Sequence, residues 1–236
     1  MININKRENG PVNLKTKYLK ALEGQNPKYD CAKVRELLKS DFKNKCYLCE
    51  SKQNDSFPFV GGNERIEHFL PHFNGANLER KYSWSNLFLS CEYCNGVKGQ
   101  IEELINCTSK NTIVTQILNF KFIHGTLKPE VEINIPFRND NKAINTKNLL
   151  NKIYNKPNQT LQLEIANRLR NSAKENFDSF IRKLEDYIDN QENINKKNKI
   201  KEELSLDKPY LAFKVCFIKS SPKLMSLVGD LIPTGF

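Results

Sequence analysis

The chain has 236 residues, 37 Lys and Arg against 27 Asp and Glu, a formal charge of +10 and 39% hydrophobic residues. That composition can bury a core of ordinary size, which excludes a disordered tail. No apolar run approaches the roughly 18 residues of a membrane span, and the opening MININKREN has no apolar stretch behind its charges, so a cytoplasmic chain without membrane or leader segments is expected.

Basic residues outnumber acidic ones 11 to 5 in residues 1–45 and 21 to 16 in residues 100–236, but not in residues 46–99, where the ratio is 5 to 6. Positive charge therefore flanks the middle of the chain. A polyanionic partner such as nucleic acid fits that distribution. After turn signals at Asn9, Gly10 and Pro11, Asp30 is placed to cap a helix whose apolar face holds Val34, Leu37, Leu38 and Phe42. Residues 50–65 are rich in Ser, Asn, Asp and Gly and read as a loop, followed by a short extended piece from Arg65 to Leu70 that Pro71 stops. A helix is expected from Glu92 through Glu103 and Leu104, weakened at its start by Gly96 and Gly99.

Residues 117–137 alternate apolar and polar side chains around His124, Gly125 and Thr126, a strand-like pattern. Ala166, Leu169, Ala173, Phe177, Phe180, Leu184 and Ile188 recur at spacings of three and four, which predicts a long amphipathic helix from 160 to about 187. Residues 189–203 are Lys-rich and read as a solvated helix or loop, whereas Tyr210 to Ile218 is apolar enough to be buried as helix or strand. No internal repeat or sustained low-complexity tract is present.

The seven cysteines form an odd set with no secretion signal, which argues against a disulfide framework. Four of them make two Cys-x-x-Cys pairs, Cys46 with Cys49 and Cys91 with Cys94. Each pair can form a tight knuckle that aims two sulfurs at one ion, and two knuckles complete a tetrahedral zinc site. The polar insert between them promises little burial of its own, so the ion is expected to join the knuckles. Cys31, Cys107 and Cys216 lack paired spacing and read as buried small hydrophobes.

The insert carries Glu67-His68-Phe69-Leu70-Pro71-His72, and Asn95 and Lys98 follow the second knuckle. A Mg²⁺-type ion takes oxygen ligands and keeps several waters, so Glu67 and Asn95 suffice as its protein ligands. A neighbouring His68 can act as general base toward water. Individually these are unremarkable surface residues, and their joint placement around the knuckles is what directs attention to hydrolysis.

The pattern Cys46-x-x-Cys49, Glu67-His68-x-x-Pro71, Trp84-x-Asn86-Leu87, Cys91-x-x-Cys94-Asn95-x-x-Lys98-Gly99 resembles an HNH endonuclease with a zinc-stapled core. Within that class it is similar to the HNH subunits of Septu and retron anti-phage systems, which work with an ATPase. The match covers residues 42–99, and two departures are His72, where a Lys or Arg is usual, and the segment to about 140, which lacks a Pro- and Asp-rich run. The resemblance implies an α+β fold: a ββα-metal HNH core at 42–105, a basic N-terminal segment with one helix at 1–41, and a mainly helical region at 106–236. It makes His68 the general base, Glu67 and Asn95 the Mg²⁺ or Mn²⁺ ligands, and Asn86 the residue that holds the loop orienting the base. Lys98 is a candidate phosphate contact and His72 an auxiliary phosphate or metal contact. The expected activity is phosphodiester hydrolysis, with DNA favoured as substrate and an ATPase as partner docked on residues 160–236. Structured RNA as substrate, or a non-catalytic zinc module binding nucleic acid or protein, are the alternatives.

Overall fold

The computed structural model describes residues 1–53, 59–126, 128–155 and 160–236. Residues 54–58 of the expected loop lie outside the described residues. Two helices come first, α1 (Val12–Leu22) and α2 (Ala32–Asp41). The turn signals at Asn9 to Pro11 prove to be the entry to α1, because Pro at the N-cap costs a helix nothing that its first turn would use. In α2, Val34, Leu38 and the following Phe42 are fully buried on one face. Asp30 does not cap it: Cys31 is the N-cap residue, without a side-chain bond, and the Asp30 carboxylate instead pairs with Arg35.

Strand β1 (Glu64–His68) pairs antiparallel with β2 (Leu87–Cys91), in a register running from Glu64 opposite Cys91 to His68 opposite Leu87. Between them lies the short helix α3 (Leu78–Tyr82), and α4 (Glu92–Lys98) leaves β2 without a loop. Burial around the insert is dense rather than thin. All five residues of β2 are buried, and Phe88 meets the rings of Phe42, Tyr47 and Phe69 at 5.5, 5.1 and 5.0 Å between centroids. The helix expected to run to Leu104 stops at Gly99, whose φ of 54° and ψ of −126° break the helical path.

The alternating stretch after residue 117 is a hairpin. The one-turn helix α5 (Val114–Ile117) leads into β3 (Leu118–Phe122), which pairs antiparallel with β4 (Pro129–Ile133). Four larger helices follow: α6 (Asn141–Asn155), α7 (Thr160–Ile188), α8 (Ile194–Glu203) and α9 (Leu211–Lys219), before the short α10 (Pro222–Val228). The stripe on α7 is as spaced in the sequence, with Ala166, Leu169, Ala173, Phe180 and Leu184 buried. Helix α9 is buried nearly all round, and its Phe213 stacks on Phe122 at 4.7 Å and meets Phe120 and Tyr154 edge-on.

This packing takes up, inside the fold, much of the apolar surface of residues 160–236 that the sequence offered to a partner. Both segments singled out there are used inside one buried cluster that also takes in residues of β1, β2 and α4. Cys107 and Cys216 are buried as expected, but Cys31 is only half-buried.

Helix α8 is solvated on one side, with Lys196 paired to Asp186 at 2.7 Å. Its last residue, Glu203, turns inward to the fully buried ammonium of Lys214 at 2.6 Å and also pairs with Lys183. Burial alone would raise the Glu203 carboxyl, but the two ammonium groups outweigh it and hold the group below its ordinary range. Burial is the larger influence at Lys214 and pulls that ammonium down. A carboxyl depressed in the folded state stabilises the fold above its unfolded pKa, and that contribution is lost as pH falls through the folded value. Glu203→Gln should therefore flatten the acid limb of a melting-temperature profile relative to the parent while lowering stability near neutral pH.

Candidate metal centre and active site

The two knuckles converge as their spacing requires. Cys46 and Cys49 sit on the turn before β1, Cys91 ends β2 and Cys94 lies in the first turn of α4, and the four sulfurs fall within 4.8 Å of one another, all buried. A tetrahedral ion with Zn–S bonds of about 2.3 Å sets its sulfurs about 3.8 Å apart, so a four-thiol site of this size fits zinc. Burial pushes the Cys91 and Cys94 thiols well up, whereas at Cys46 hydrogen bonds from the other thiols outweigh burial and lower the group. Four converging buried thiols are a donor set suited to a divalent cation. The chain around it is close-fitting. A Cβ on Gly61 would stand 2.4 Å from the Cys91 sulfur, so only glycine lets that loop pass, and the Gly61 carbonyl accepts from the Tyr93 amide at 2.9 Å.

Glu67 and His68 are consecutive at the end of β1. Glu67 faces α4, where its Oε1 lies 2.7 Å from Lys98 Nζ, and burial, its largest influence, raises its carboxyl against the pull of that ammonium. Lys98 is itself fully buried and also donates to the His68 carbonyl at 3.0 Å. This corrects its assignment as a phosphate contact: the ammonium is enclosed and positions Glu67. Asn95 lies three residues before Lys98, on the same face of α4, and is half-buried. No side-chain hydrogen bond involves it among the described residues.

His68 is 7% exposed, and burial pulls its imidazole down to about 4, so it is neutral at physiological pH. Its Nε2 lies 3.0 Å from the Lys81 carbonyl at the end of α3. A carbonyl only accepts, so Nε2 carries the proton and Nδ1 keeps the lone pair, the arrangement a general base needs. His72 packs its ring against His68 at 4.4 Å between centroids, and its Nδ1 accepts from the Gly75 amide at 2.8 Å.

Asn86 closes the loop between these elements. Its Oδ1 accepts from the Leu70 amide at 2.7 Å, while Nδ2 donates to the carbonyls of Leu70 at 2.8 Å and Arg80 at 2.9 Å. One buried amide thus ties the segment after His68 to the helix whose carbonyl holds His68. Asn86→Ala should cost about 2 to 4 kcal/mol, since it strands three backbone groups, and urea denaturation of the purified variant measures it.

Over about a third of its length the chain is similar to Septu protein PtuB. It is 32% identical over 85 residues to the protein of that name from Bacillus thuringiensis, covering 36% of this chain and 31% of the relative. To the Bacillus mycoides (strain KBAB4) protein it is 35% identical over 92 residues, or 34% of this chain and 30% of the relative. The chain thus matches less than a third of the length of either relative. No family model matches. The likeness supports a Septu-related origin for the matched part.

Spacing found the knuckles and the Glu67–His68 pair, but it missed the N-terminal contributors. Trp84 donates from Nε1 to the Arg7 carbonyl at 2.9 Å, and Gly10 lies so close to its indole that a Cβ would be 2.5 Å from the ring. Lys6, half-buried and lowered to about 7 mainly by desolvation of its ammonium, donates to the Leu87 carbonyl at 2.6 Å and lies over the rings of Trp84 and Phe88. Tyr29 packs on His68. An isolated aromatic in the polar run from Glu23 to Asp30 was the one available signal for it.

Proposed function

We propose that the chain is an HNH-type endonuclease that hydrolyses phosphodiester bonds, preferentially in DNA, as the nuclease component of an anti-phage defence system with an ATPase partner. The observation that carries this is the neutral His68 imidazole bonded through Nε2 to a backbone carbonyl, on a hairpin followed directly by a helix and bound to it by four converging thiols. The likeness to Septu protein PtuB supports the defence setting.

In this reading Glu67 and Asn95 supply the oxygen ligands for Mg²⁺ or Mn²⁺, a donor set suited to a hard cation. The ion, when bound, stabilises charge on the phosphate and the leaving oxygen. His68 takes a proton from the attacking water at Nδ1, while the Lys81 carbonyl keeps the ring in the required tautomer. Asn86 holds the loop on which that alignment depends. Lys98 orders the Glu67 carboxylate. Zinc stays apart from the chemistry.

A non-catalytic zinc module is the competing reading, and one observation favours it: Lys98 already satisfies the Glu67 carboxylate without a divalent ion. Cleavage assays separate the two. The parent chain, alone and co-expressed with any ATPase whose gene adjoins its own, is incubated with plasmid DNA and with structured RNA in Mg²⁺ or Mn²⁺. Divalent-dependent cutting of DNA, and copurification of the ATPase, is the expected result; binding without cutting under every condition removes the nuclease reading.

For the polyanion, a groove of about 630 Å³ between β4 and α6 offers Lys128, Lys147 and Lys152, none of which is in an ion pair among the described residues. Each phosphate contact contributes about 0.9 to the slope of log K against log salt. Changing all three lysines to glutamine should weaken DNA binding and reduce that slope by about 2 to 3, measured by fluorescence anisotropy at several salt concentrations.

A further inference from the structure

The run from Glu23 to Asp30 lies outside every motif that defines the candidate site, yet it is docked against it. The Tyr29 ring meets His68 edge-on, with 4.6 Å between centroids and 75° between planes, and meets His72 at 6.4 Å and 66°. His68 and His72 are themselves 4.4 Å apart, so three rings form one cluster around the imidazole. The run is fastened on both sides of Tyr29. Before it, the Tyr82 hydroxyl donates to the Pro27 carbonyl at 2.7 Å and Lys81 Nζ donates to Asn26 Oδ1 at 2.8 Å. After it, Asp30 pairs with Arg35, whose guanidinium also reaches Glu64 at 2.9 Å. Tyr29 is therefore referenced to α3, which supplies the carbonyl partner of His68, and to β1, which supplies His68 itself.

A histidine ring held by one hydrogen bond can still pivot, because the torsion that turns it has a broad, two-fold profile. Its single bond to Lys81 exchanges for a bond to water and so holds the ring only weakly. Edge-on aromatic neighbours attract the ring and close off the pivot sterically. We propose that Tyr29 is a positioning residue for His68, holding its imidazole in the one orientation that keeps Nε2 on the Lys81 carbonyl and leaves Nδ1 as the proton acceptor. The functional consequence rests on the nuclease reading; the positioning itself does not. The ring carries the effect, since no hydrogen bond of the Tyr29 hydroxyl occurs among the described residues.

The test compares Tyr29→Phe, Tyr29→Leu and Tyr29→Ala in the full chain with zinc bound. Two readouts are taken: kcat and KM for DNA cleavage, and the ¹⁵N signals of the His68 ring, assigned against His68→Ala. The parent and Tyr29→Phe should show a single Nε2-protonated tautomer and similar kcat. Tyr29→Leu and Tyr29→Ala should show averaging of the two tautomers, with kcat down about 10- to 100-fold and KM little changed. Should Tyr29→Ala fail to fold, Tyr29→Leu, which fills the volume without a ring, carries the same comparison. Tautomer averaging in a chain whose parent cuts nothing would uphold the positioning and remove the nuclease reading. A variant that lowers melting temperature but leaves the His68 signals and kcat as in the parent overturns the proposal.

Discussion

His68→Ala is expected to lower the rate of divalent-dependent cleavage by about 10² to 10⁴, the range for loss of a general base. The imidazole is neutral and bonded at Nε2, so the variant removes the acceptor at Nδ1 and leaves α3 intact. Glu67→Ala and Asn95→Ala should behave differently. They weaken ion binding, so raising Mn²⁺ should recover part of their activity, whereas no ion restores a missing base. Glu67→Ala has an added cost in stability, because it leaves the Lys98 ammonium buried without its carboxylate. All three variants should retain the zinc content of the parent by elemental analysis. Parental rates in His68→Ala would remove this mechanism.

Loss of zinc is expected to have the largest effect on stability. Structural zinc contributes about 10 to 16 kcal/mol in peptides that have no other core, and a chain with its own buried cluster should keep a smaller share of that, about 5 kcal/mol. For a chain of this length this corresponds to a fall of about 10 to 20 °C in melting temperature. Cys49→Ser, or exposure to a strong chelator at neutral pH, should produce it, read by scanning calorimetry with metal analysis alongside. The dense packing of Phe42, Tyr47, Phe69 and Phe88 argues that secondary structure survives the loss. A metal-free protein melting with the parent would overturn a structural role for the ion.

What the sequence disclosed, and what it withheld, follows from the range of the contacts involved. The four thiols were legible because knuckle spacing is local and chemically narrow. Helix α7 was legible because its period persists over many turns. Helix α9 was ambiguous because it is apolar on every side, which erases periodicity, and only packing against β3 decides between helix and strand. Helix α6 was passed over because Asn and Lys fill its exposed face, although Ala143, Thr146, Leu149, Leu150 and Ile153 are buried at helical spacing. The enclosure of Lys98 could not be read, and the docking of Tyr29 left no trace beyond an aromatic in a polar run. Each depends on partners 30 or more residues away in the chain.

One contact near the zinc site has a consequence in time. Glu50, next to Cys49, is buried and accepts from the amide of Leu211 at 2.9 Å at the start of α9, across 161 positions of chain. Tyr154 likewise donates to the Cys49 carbonyl at 3.0 Å. During translation, at about 5 to 20 residues per second, both knuckles are made about 6 to 23 seconds before the α9 backbone that donates to Glu50. A nascent chain could thus gather four thiols around an ion while the Glu50 carboxylate beside them has the Met1 ammonium, at 2.6 Å in the finished fold, but not yet the amides of α9. The last helices complete the region around the cysteines, so a growing polypeptide reaches its finished site only after most of its length has left the ribosome.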